Sequence, residues 1–466
     1  MWPDIQRRST SKTAPHRRYL PETPPSEEST PASRWELFEG EPETCRRNLR
    51  SFLPVVAHLA LLLAIYKVYH VEGRAFLLLV EIALGALPIH YLLPYRWKKP
   101  LFIGASILGL ASVFGTLVTL YVLGFSSLLI GTCYLPLPWT ARAAIVAAIG
   151  TFCALLRPEE IATSIPSNVW PVLATMFMFR IMIYLYELKY AKKPESLIDT
   201  IGYFFLLPNY CFPHFPVVDY RTLQRGYFAK DIHAIQRSGI QMMFKGTTHL
   251  LLYRLIYHEL LITPEEVRGP ASLAAYLICN YLLYLRVSGQ FHIACGMLQL
   301  FGYQLPETHK NYLLATGFTD YWRRINIYWK DFMVRLVFNP VVFRLKHWPL
   351  SASLATATAV VFFMTWILHA YQSYWLRGTW GFSTTDALFW GILGALVMVN
   401  VQIDARRSPA KARAALAKPY SLAVLVPRSL KTLGTLFTIA LLWSLWSSPS
   451  LNQWLDMLSR GLDIHV

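Results

Sequence analysis

One histidine stands inside a long apolar run, where a titratable side chain is rare. His369 lies in the middle of the run 352–376, which is long enough to form a membrane-spanning helix. Histidine titrates near neutral pH, so a histidine in this place could accept and return a proton during a reaction. The alternative is a packing histidine with satisfied hydrogen bonds, but the polar character of its helix face favours a functional role. On a helix, four further residues share that face: Thr365, Trp366, Gln372 and Ser373.

A charged and aromatic stretch, GFTDYWRRINIYWKDF at 317–332, lies upstream of this histidine. Spacings of three and four predict one helix with Arg323, Asn326 and Lys330 on a common face. Such a helix could line a polar cavity or anchor the protein at the membrane interface, where Trp, Tyr and Arg collect. Its cations could bind phosphate groups or pair with the two aspartates of the stretch. Five charged side chains occur in it: Asp320, Arg323, Arg324, Lys330 and Asp331.

Composition places the chain among multi-pass membrane proteins. Of its 466 residues, 54% are hydrophobic and 15% are charged. The net charge of +17 comes mainly from loops and segment ends, which is typical of the positive-inside rule, so we expect no nucleic-acid partner. Six scattered cysteines without a CxxC spacing indicate neither a disulfide framework nor a zinc site. Because an HExxH motif is also missing, we expect no metal.

Apolar runs of about 20 residues predict roughly eleven helices, some of them re-entrant. Residues 1–48, rich in Pro, Ser, Thr and Glu, are predicted to be a disordered tail. Residues 198–216 are too short and too rich in proline for a full span and predict a re-entrant element. The predicted organisation is therefore a cytoplasmic tail at 1–48, N-terminal spans at 49–190, a core at 191–376 and C-terminal spans at 377–466.

Basic clusters flank the first two apolar runs, 51–66 and 75–93, and the loop 404–418 is basic as well. By the positive-inside rule these clusters predict a cytoplasmic N-terminus. Two further runs follow at 101–123 and 125–137. A long helical pattern at 231–261 carries a polar stripe, formed by Arg237, Gln241, Lys245 and His249. The stripe faces either a cavity or the bundle interior, or it lies at the membrane interface.

Three patterns follow one another in the second half of the chain. Residues 288–307 read SGQFHIACGMLQLFGYQLPE, DYWRR is followed by Asn326, and His369 comes later inside an apolar helix. This order resembles the membrane-bound O-acyltransferase family. It is most similar to the bacterial branch typified by the alginate O-acetyltransferase membrane subunit and the D-alanyl transfer protein of teichoic acid synthesis. The proline-rich segment 204–223 also looks like that family's, and the resemblance covers roughly residues 200–376.

The chain departs from the bacterial pattern at three places. Ile325 and Asn326 stand where that branch has Trp and His after WRR, although Asn at this position is familiar from eukaryotic branches. The family's WHG at the catalytic histidine reads Leu-His-Ala around His369, with Trp366 displaced. His292 stands where the bacterial pattern often has Asp. These departures concern the substrate and the activity more than the fold.

The resemblance implies an all-α, polytopic transmembrane bundle with re-entrant or interfacial helices around a central intramembrane tunnel. It implies that His369 deprotonates an acceptor hydroxyl and that Asn326 orients the donor or hydrogen-bonds its thioester carbonyl. Arg323, Arg324 and Lys330 would bind phosphates of the donor, and we expect at least one of them to be paired structurally instead. Substrate would also meet two neighbours of the histidine: Trp366 and Gln372.

The partners implied by this resemblance are the lipid bilayer and an acyl thioester. The donor would be acyl-CoA or an acyl carrier protein, with no bound cofactor. A periplasmic or carrier-protein partner and the inner membrane of a bacterium would fit the same branch. The acceptor stays open among a polysaccharide, a lipid, a small metabolite and a protein. Two other classes also stay open, a polytopic transporter and an inactive scaffold of the same fold.

Overall fold

The computed structural model describes residues 36–158, 164–191, 196–212, 218–406 and 422–463. Within these ranges the chain is helical and contains no strand, with one isolated bridge between Tyr227 and Tyr303. Nine helical segments of the described residues are long and apolar enough to cross a membrane. The predicted class, an all-α multi-pass membrane protein, is therefore confirmed.

The helices follow one another along the chain with short connections. The first group is α1 (Leu49–Tyr69), α2 (Arg74–Leu92), α3 (Tyr95–Tyr134), α4 (Trp139–Leu156), α5 (Val169–Phe177), α6 (Arg180–Leu188), α7 (Leu197–Phe204) and α8 (Tyr220–Gly226). The second group is α9 (Ile232–Leu255), α10 (Pro270–Leu282), α11 (Leu285–Leu300), α12 (Phe318–Arg324), α13 (Ile327–Met333), α14 (Asn339–Arg344), α15 (Leu350–Arg377), α16 (Thr384–Arg406), α17 (Leu422–Ser447) and α18 (Leu451–Gly461).

The segment α3 consists of two antiparallel helical halves joined at Gly115. Gly115 interrupts it with φ 83° and ψ 166°, a backbone conformation that glycine adopts without steric cost. Both ends of α3 meet the short helix α7, because Lys99 pairs with Asp199 and the hydroxyl of Tyr134 bonds to that of Thr200. The two halves therefore run in opposite directions. The predicted division between runs at 101–123 and 125–137 is wrong, because the chain turns at Gly115.

The predicted re-entrant element at 198–216 is partly described. It consists of α7 and a buried 3-10 turn, Leu207–Tyr210, inside the protein. There the carboxamide oxygen of Asn209 accepts a hydrogen bond from the buried guanidinium of Arg180 (2.8 Å). Protein groups also bond to its backbone, because the amide of Asn209 donates to the carbonyl of Leu206 (3.0 Å) and Arg180 donates to that of Phe204 (3.4 Å). Residues 213–217 lie outside the described ranges.

Helix α9 crosses the bundle beside α1, although it is too polar to count among the nine apolar segments. At its start, His233 hydrogen-bonds to Tyr91 (3.4 Å), near the first residues of α1. At its end, Arg254 donates to the carbonyl of His70, the residue that follows α1. Along its stripe, Arg237 and Gln241 are exposed whereas Lys245 and His249 are half-buried. The structure therefore favours the bundle interior over the membrane interface for the inner part of this stripe.

Glycines let α9 and α11 approach closely at two levels. A Cβ at Gly246 would lie 2.6 Å from the carbonyl oxygen of Gly289, and a Cβ at Gly296 would lie 2.5 Å from that of Gly239. Small residues allow such close backbone contact between membrane helices. The contact brings His249 of α9 within hydrogen-bond distance of Ser288 of α11 (3.1 Å).

Part of the predicted disordered tail is ordered, and the prediction is wrong for residues 36–48. The buried guanidinium of Arg47 (2% exposed) pairs with Glu41 (2.8 Å). It also donates to the carbonyls of Tyr91 (3.1 Å) and Leu93 (2.8 Å), which satisfies the charge inside the protein. The other residues of the predicted tail, 1–35, lie outside the described ranges.

Replacing Arg47 by alanine should destabilise the protein by about 3–5 kcal/mol, because it leaves the Glu41 carboxylate buried without its partner. Burial alone would raise the pKa of Glu41, but hydrogen bonds from Arg47 and two backbone amides lower it below its usual value. The pair's contribution is therefore present at neutral pH and is lost as the pH falls through the lowered pKa. Thermal unfolding of the purified wild type and the Arg47→Ala variant would measure the effect. The Arg46→Ala variant is the control. Arg46 pairs with Glu36 at the surface, and equal losses would contradict the structural role of Arg47.

Candidate active site

The stretch 317–332 is two short helices rather than the predicted single helix. After α12 the backbone extends at Ile325, and Asn326 adopts a left-handed conformation (φ 41°, ψ 62°) before α13 begins. Asparagine tolerates that conformation better than most residues. Its carboxamide oxygen also accepts a hydrogen bond from the amide of Trp329 (3.3 Å) and so caps α13. The prediction of Arg323, Asn326 and Lys330 on one continuous helix face is therefore wrong.

A distant loop holds this break in place through backbone hydrogen bonds. The amide of Ile327 donates to the carbonyl of Thr308 (2.8 Å), and the amide of Lys310 donates to that of Arg324 (3.0 Å). The hydroxyl of Tyr328 donates to the carbonyl of Pro306 (2.7 Å). The carboxamide oxygen of Asn326 is occupied by the cap. The NH₂ group of the same side chain could donate a hydrogen bond to a substrate.

Two of the predicted phosphate-binding cations are in ion pairs. Arg324 pairs with Asp320 one turn earlier on α12 (2.7 Å), and Lys330 pairs with its neighbour Asp331 (2.7 Å). The expectation that at least one cation is paired structurally is confirmed. Arg323 is exposed and forms no ion pair within the described part of the chain.

His369 lies where four helices meet, surrounded by indole rings. Its ring stacks on Trp390 of α16 with centres 4.8 Å apart, and the ring of Trp329 on α13 is 5.6 Å away. Trp446 of α17 approaches edge-on at 6.1 Å. The structure therefore brings His369 against α13, the helix that Asn326 caps. Asn326 lies 43 residues before His369 in the sequence.

A buried carboxylate is hydrogen-bonded to one of these tryptophans, Trp446. Asp386, 7% exposed, accepts a hydrogen bond from the indole N–H of Trp446 (2.7 Å). The indoles of Trp366 and Trp390 approach the same carboxylate without reaching hydrogen-bond geometry. Asp386 was not among the residues predicted from the sequence, although a lone acidic residue in the apolar run 383–402 is a recognisable signal.

The two other predicted substrate contacts, Trp366 and Gln372, lie on α15 with the histidine. Trp366 packs on Phe382 (5.2 Å between ring centres) and on Phe363 (6.0 Å). Gln372 is half-buried three residues beyond His369 on α15. Both residues lie within one helical turn of His369 on α15. Trp366 also lies near the carboxylate of Asp386.

Three histidines form a second polar cluster between α9, α11 and the loop that holds Asn326. The ring of His292 lies 5.3 Å from that of His249 and 5.9 Å from that of His309. His309 bonds to the hydroxyl of Tyr284 (2.9 Å), and His249 bonds to that of Ser288 (3.1 Å). Burial, together with the nearby His292, His249 and Lys245, holds the pKa of His309 well below its usual range, so this ring is neutral at pH 7.

His292 is the buried centre of this cluster (1% exposed). Its Nδ1 lies 2.6 Å from the carbonyl oxygen of Ser288, and a carbonyl only accepts, so Nδ1 carries the proton. In the neutral ring Nε2 then bears the lone pair, and within the described residues it has no hydrogen-bond partner. Within the same ranges, no group of three or more His, Cys, Asp or Glu side chains is arranged to hold a metal ion.

Helix α13 separates His369 from a cavity of about 380 Å³. Tyr328, Asp331 and Phe332 line the cavity from α13, whereas Trp329 of the same helix contacts His369. Arg335 also lines it and pairs with Glu187 and Asp219. A ligand in this cavity would therefore be one helix away from the histidine.

An apolar cavity, also of about 380 Å³, lies along the other side of α15. It is lined by α3 to α6 and by two rings of α15, Tyr371 and Trp375. Tyr371 is two residues from His369. Side chains two residues apart point to opposite sides of a helix, so the backbone of α15 would separate a hydrocarbon group in this cavity from the ring of His369.

The arrangement can perform acid–base chemistry in a largely apolar environment. It combines His369 of α15, the buried carboxylate of Asp386 on α16, and the side-chain amide of Asn326, which precedes α13. A scan against family models finds no match for this chain, and a search of curated proteins finds no similar protein.

Proposed function

We propose that this chain is a membrane-embedded O-acyltransferase that moves an acyl group, such as acetyl, from a thioester to a hydroxyl group of an acceptor. The observation that supports it most is the position of His369. It lies in a spanning helix, between indole rings and against the helix that Asn326 caps. A titratable side chain inside a membrane costs free energy, so such residues are rare and mark functional sites by default.

The proposed reaction begins with His369 as general base. Its ring takes the proton of the acceptor hydroxyl while the hydroxyl oxygen attacks the thioester carbonyl carbon. The carbon–sulfur bond then breaks, and the imidazolium returns the proton to the leaving thiolate. Asp386 stabilises the imidazolium across the indole of Trp446, because opposite charges attract strongly in an apolar interior. The amide N–H of Asn326 donates to the developing oxyanion.

On the donor side, we propose that the thioester arrives from the cytosol as acyl-CoA or on a carrier protein. The cavity beside Asp331 and Arg335 is large enough for part of a pantetheine arm and adjoins α13. Arg324 and Lys330 are already neutralised by aspartates. Arg323 is therefore the best candidate for a contact with the donor's phosphates.

Reversing the charge of Arg323 with glutamate should raise the KM for the donor severalfold and leave kcat nearly unchanged. A phosphate contact is the same in the ground state and the transition state, so its loss weakens binding and not the chemical step. The effect should shrink at high salt, because exposed charges are screened. Steady-state kinetics with acetyl-CoA at two ionic strengths would measure it, with Arg344→Glu, a second exposed arginine, as the control. A collapsed kcat at constant KM would place Arg323 elsewhere in the mechanism.

We propose that the acceptor is a hydroxylated molecule with an apolar part, since the second cavity beside Tyr371 is lined almost entirely by apolar side chains. A lipid or an apolar small metabolite fits that cavity better than a free polysaccharide does. We place the protein in a cell membrane, with its N-terminus in the cytoplasm because of the basic clusters that flank the first two spans. A partner that delivers the donor or the acceptor is compatible with this orientation.

The test of the proposed function is transfer of a labelled acyl group. Membranes that contain the protein would be incubated with radiolabelled acetyl-CoA, and the lipid, small-molecule and polysaccharide fractions would be counted separately. We expect label in one fraction, above the level of membranes without the protein. Label that stays on CoA, together with uptake of a solute by proteoliposomes, would support a transporter instead.

A further inference from the structure

A polar cavity of about 340 Å³ opens at the end of the bundle where α1 and α9 end and α11 begins. None of its residues belongs to the surroundings of His369 or to the histidine cluster. Two arginines and one glutamate supply its permanent charges, Arg254, Arg286 and Glu72. The cavity therefore carries an excess of positive charge.

Arg254 supplies this excess. One of its N–H groups donates to the backbone carbonyl of His70, which ends α1 in a left-handed conformation (φ 46°, ψ 48°). Within the described residues, no carboxylate lies within ion-pair distance of Arg254. A guanidinium has five N–H donors, so most of them are left for a ligand.

Arg286 is only weakly neutralised. Its guanidinium lies 3.4 Å from Glu72, and half of its side chain is exposed. Glu72 also accepts a hydrogen bond from Gln290 (3.0 Å), so the carboxylate is shared. The guanidinium lies over the ring of Tyr253 (5.6 Å), which holds it at the wall of the cavity. Two arginines held in this way can bind an anion with several oxygens, such as a phosphate.

The backbone next to the cavity is irregular. The turn that follows α9, Ile256–Leu260, is a π-helix, and its Tyr257 and His258 line the cavity. Single π-helical turns occur frequently at functional sites. This turn adds a phenol and an imidazole to the polar wall.

Large apolar side chains surround the cavity on its outer side. Val68 (70% exposed) and Tyr69 precede His70 on α1, and Leu252 and Leu255 are exposed on α9. In a multi-pass membrane protein such side chains face lipid. The cavity therefore lies at the boundary between the hydrocarbon and water, where a ligand can be charged at one end and apolar at the other.

We propose that this cavity binds the phosphate of an anionic membrane lipid, with the headgroup between Arg254 and Arg286 and the acyl chains along Val68 and Leu255. Basic pockets at membrane interfaces recognise anionic headgroups in this way. A free phosphate would use the arginines and leave the apolar surface uncovered.

The experiment is native mass spectrometry of the purified full-length chain in a neutral detergent. Phosphatidylglycerol, phosphatidylcholine and inorganic phosphate would be titrated separately. We expect phosphatidylglycerol to bind at least about tenfold more tightly than the other two, and Arg254→Gln to remove about tenfold of that affinity. Arg74→Gln is the matched control, since Arg74 is an exposed arginine next to the cavity that does not line it.

Four results would overturn the proposal. Equal binding of the two lipids, or binding of phosphatidylglycerol that Arg254→Gln and Arg286→Gln leave unchanged, would remove the role of the arginines. Binding of inorganic phosphate as tight as that of phosphatidylglycerol would show an anion site without lipid selectivity. Leu255→Ser, which leaves the arginines in place, should weaken only the lipid, and an unchanged lipid affinity in this variant would contradict the placement of the acyl chains.

Discussion

Replacing His369 by alanine should lower the rate of acyl transfer by about 10²–10⁴-fold, the range that general base catalysis contributes. The hydroxyl of the acceptor would keep its proton and would attack the thioester poorly. Of the three indoles around the ring, Trp390 and Trp446 pack on each other (6.0 Å between ring centres). All three also pack on further rings, for example Trp446 on Phe389 (4.9 Å) and Trp329 on Phe332 (5.4 Å). We therefore expect the variant to stay folded in the membrane.

This prediction is checked by initial rates of the purified variant with saturating donor and acceptor. His369→Gln, which keeps much of the side-chain volume, separates the loss of the base from the loss of packing. His58→Ala is the matched control, because His58 is an exposed histidine on the spanning helix α1. Near-normal turnover of both His369 variants would exclude the base role and would favour a scaffold of the same fold.

Replacing Gly246 by leucine should prevent correct assembly of the bundle. Its Cβ would lie 2.6 Å from the carbonyl oxygen of Gly289 and 2.7 Å from the side chain of Ile293. Because the nearest atom belongs to the backbone of α11, a rotamer change cannot relieve the contact, and α9 and α11 must separate. That separation would also pull His249 away from Ser288, to which it is hydrogen-bonded.

The yield of monodisperse protein in detergent and its melting temperature measure this effect. Gly85→Leu is the control, since Gly85 lies in the spanning helix α2 and a Cβ there meets nothing within 4 Å. We expect normal yield for Gly85→Leu and a strong loss for Gly246→Leu. Equal behaviour of the two variants would contradict the close packing of α9 on α11.

The sequence predicted the membrane class and most of the spans, because a spanning helix needs a long apolar run and little else. It did not predict the hairpin in α3. Gly104, Gly109, Gly115 and Gly124 all occur in that helix, and no local pattern distinguishes the one that turns the chain. The turn is selected by contacts of both helix ends with α7, which are distant in the sequence.

The break at Asn326 escaped the sequence analysis for a similar reason. The spacing of polar residues in 317–332 is regular enough for one helix, although asparagine favours helix ends over helix interiors. The loop at 306–310 decides between the two states, because its carbonyl at Thr308 accepts the amide of Ile327. That contact requires the tertiary structure.

For the candidate site, the sequence indicated His369 and the pairing of the cations with aspartates, because both depend on residues within one or two helical turns. Asp386 was missed because its partner, Trp446, lies 60 residues further along the chain. The histidine cluster was visible only as a stripe on α9 and as His292 on α11. Neither pattern alone predicts that His309, from a loop, completes it.

The central claim is that this chain breaks an acyl thioester by means of His369, and release of free CoA thiol tests it most directly. Purified wild-type protein and the His369→Gln variant would be incubated with acetyl-CoA and a membrane lipid extract, and the thiol would be measured with a colorimetric reagent. We predict steady release of thiol by the wild type, dependent on the extract, and release at the background rate by the variant. Thiol release that is absent from the wild type with every class of acceptor, or equal in the two proteins, would contradict the account.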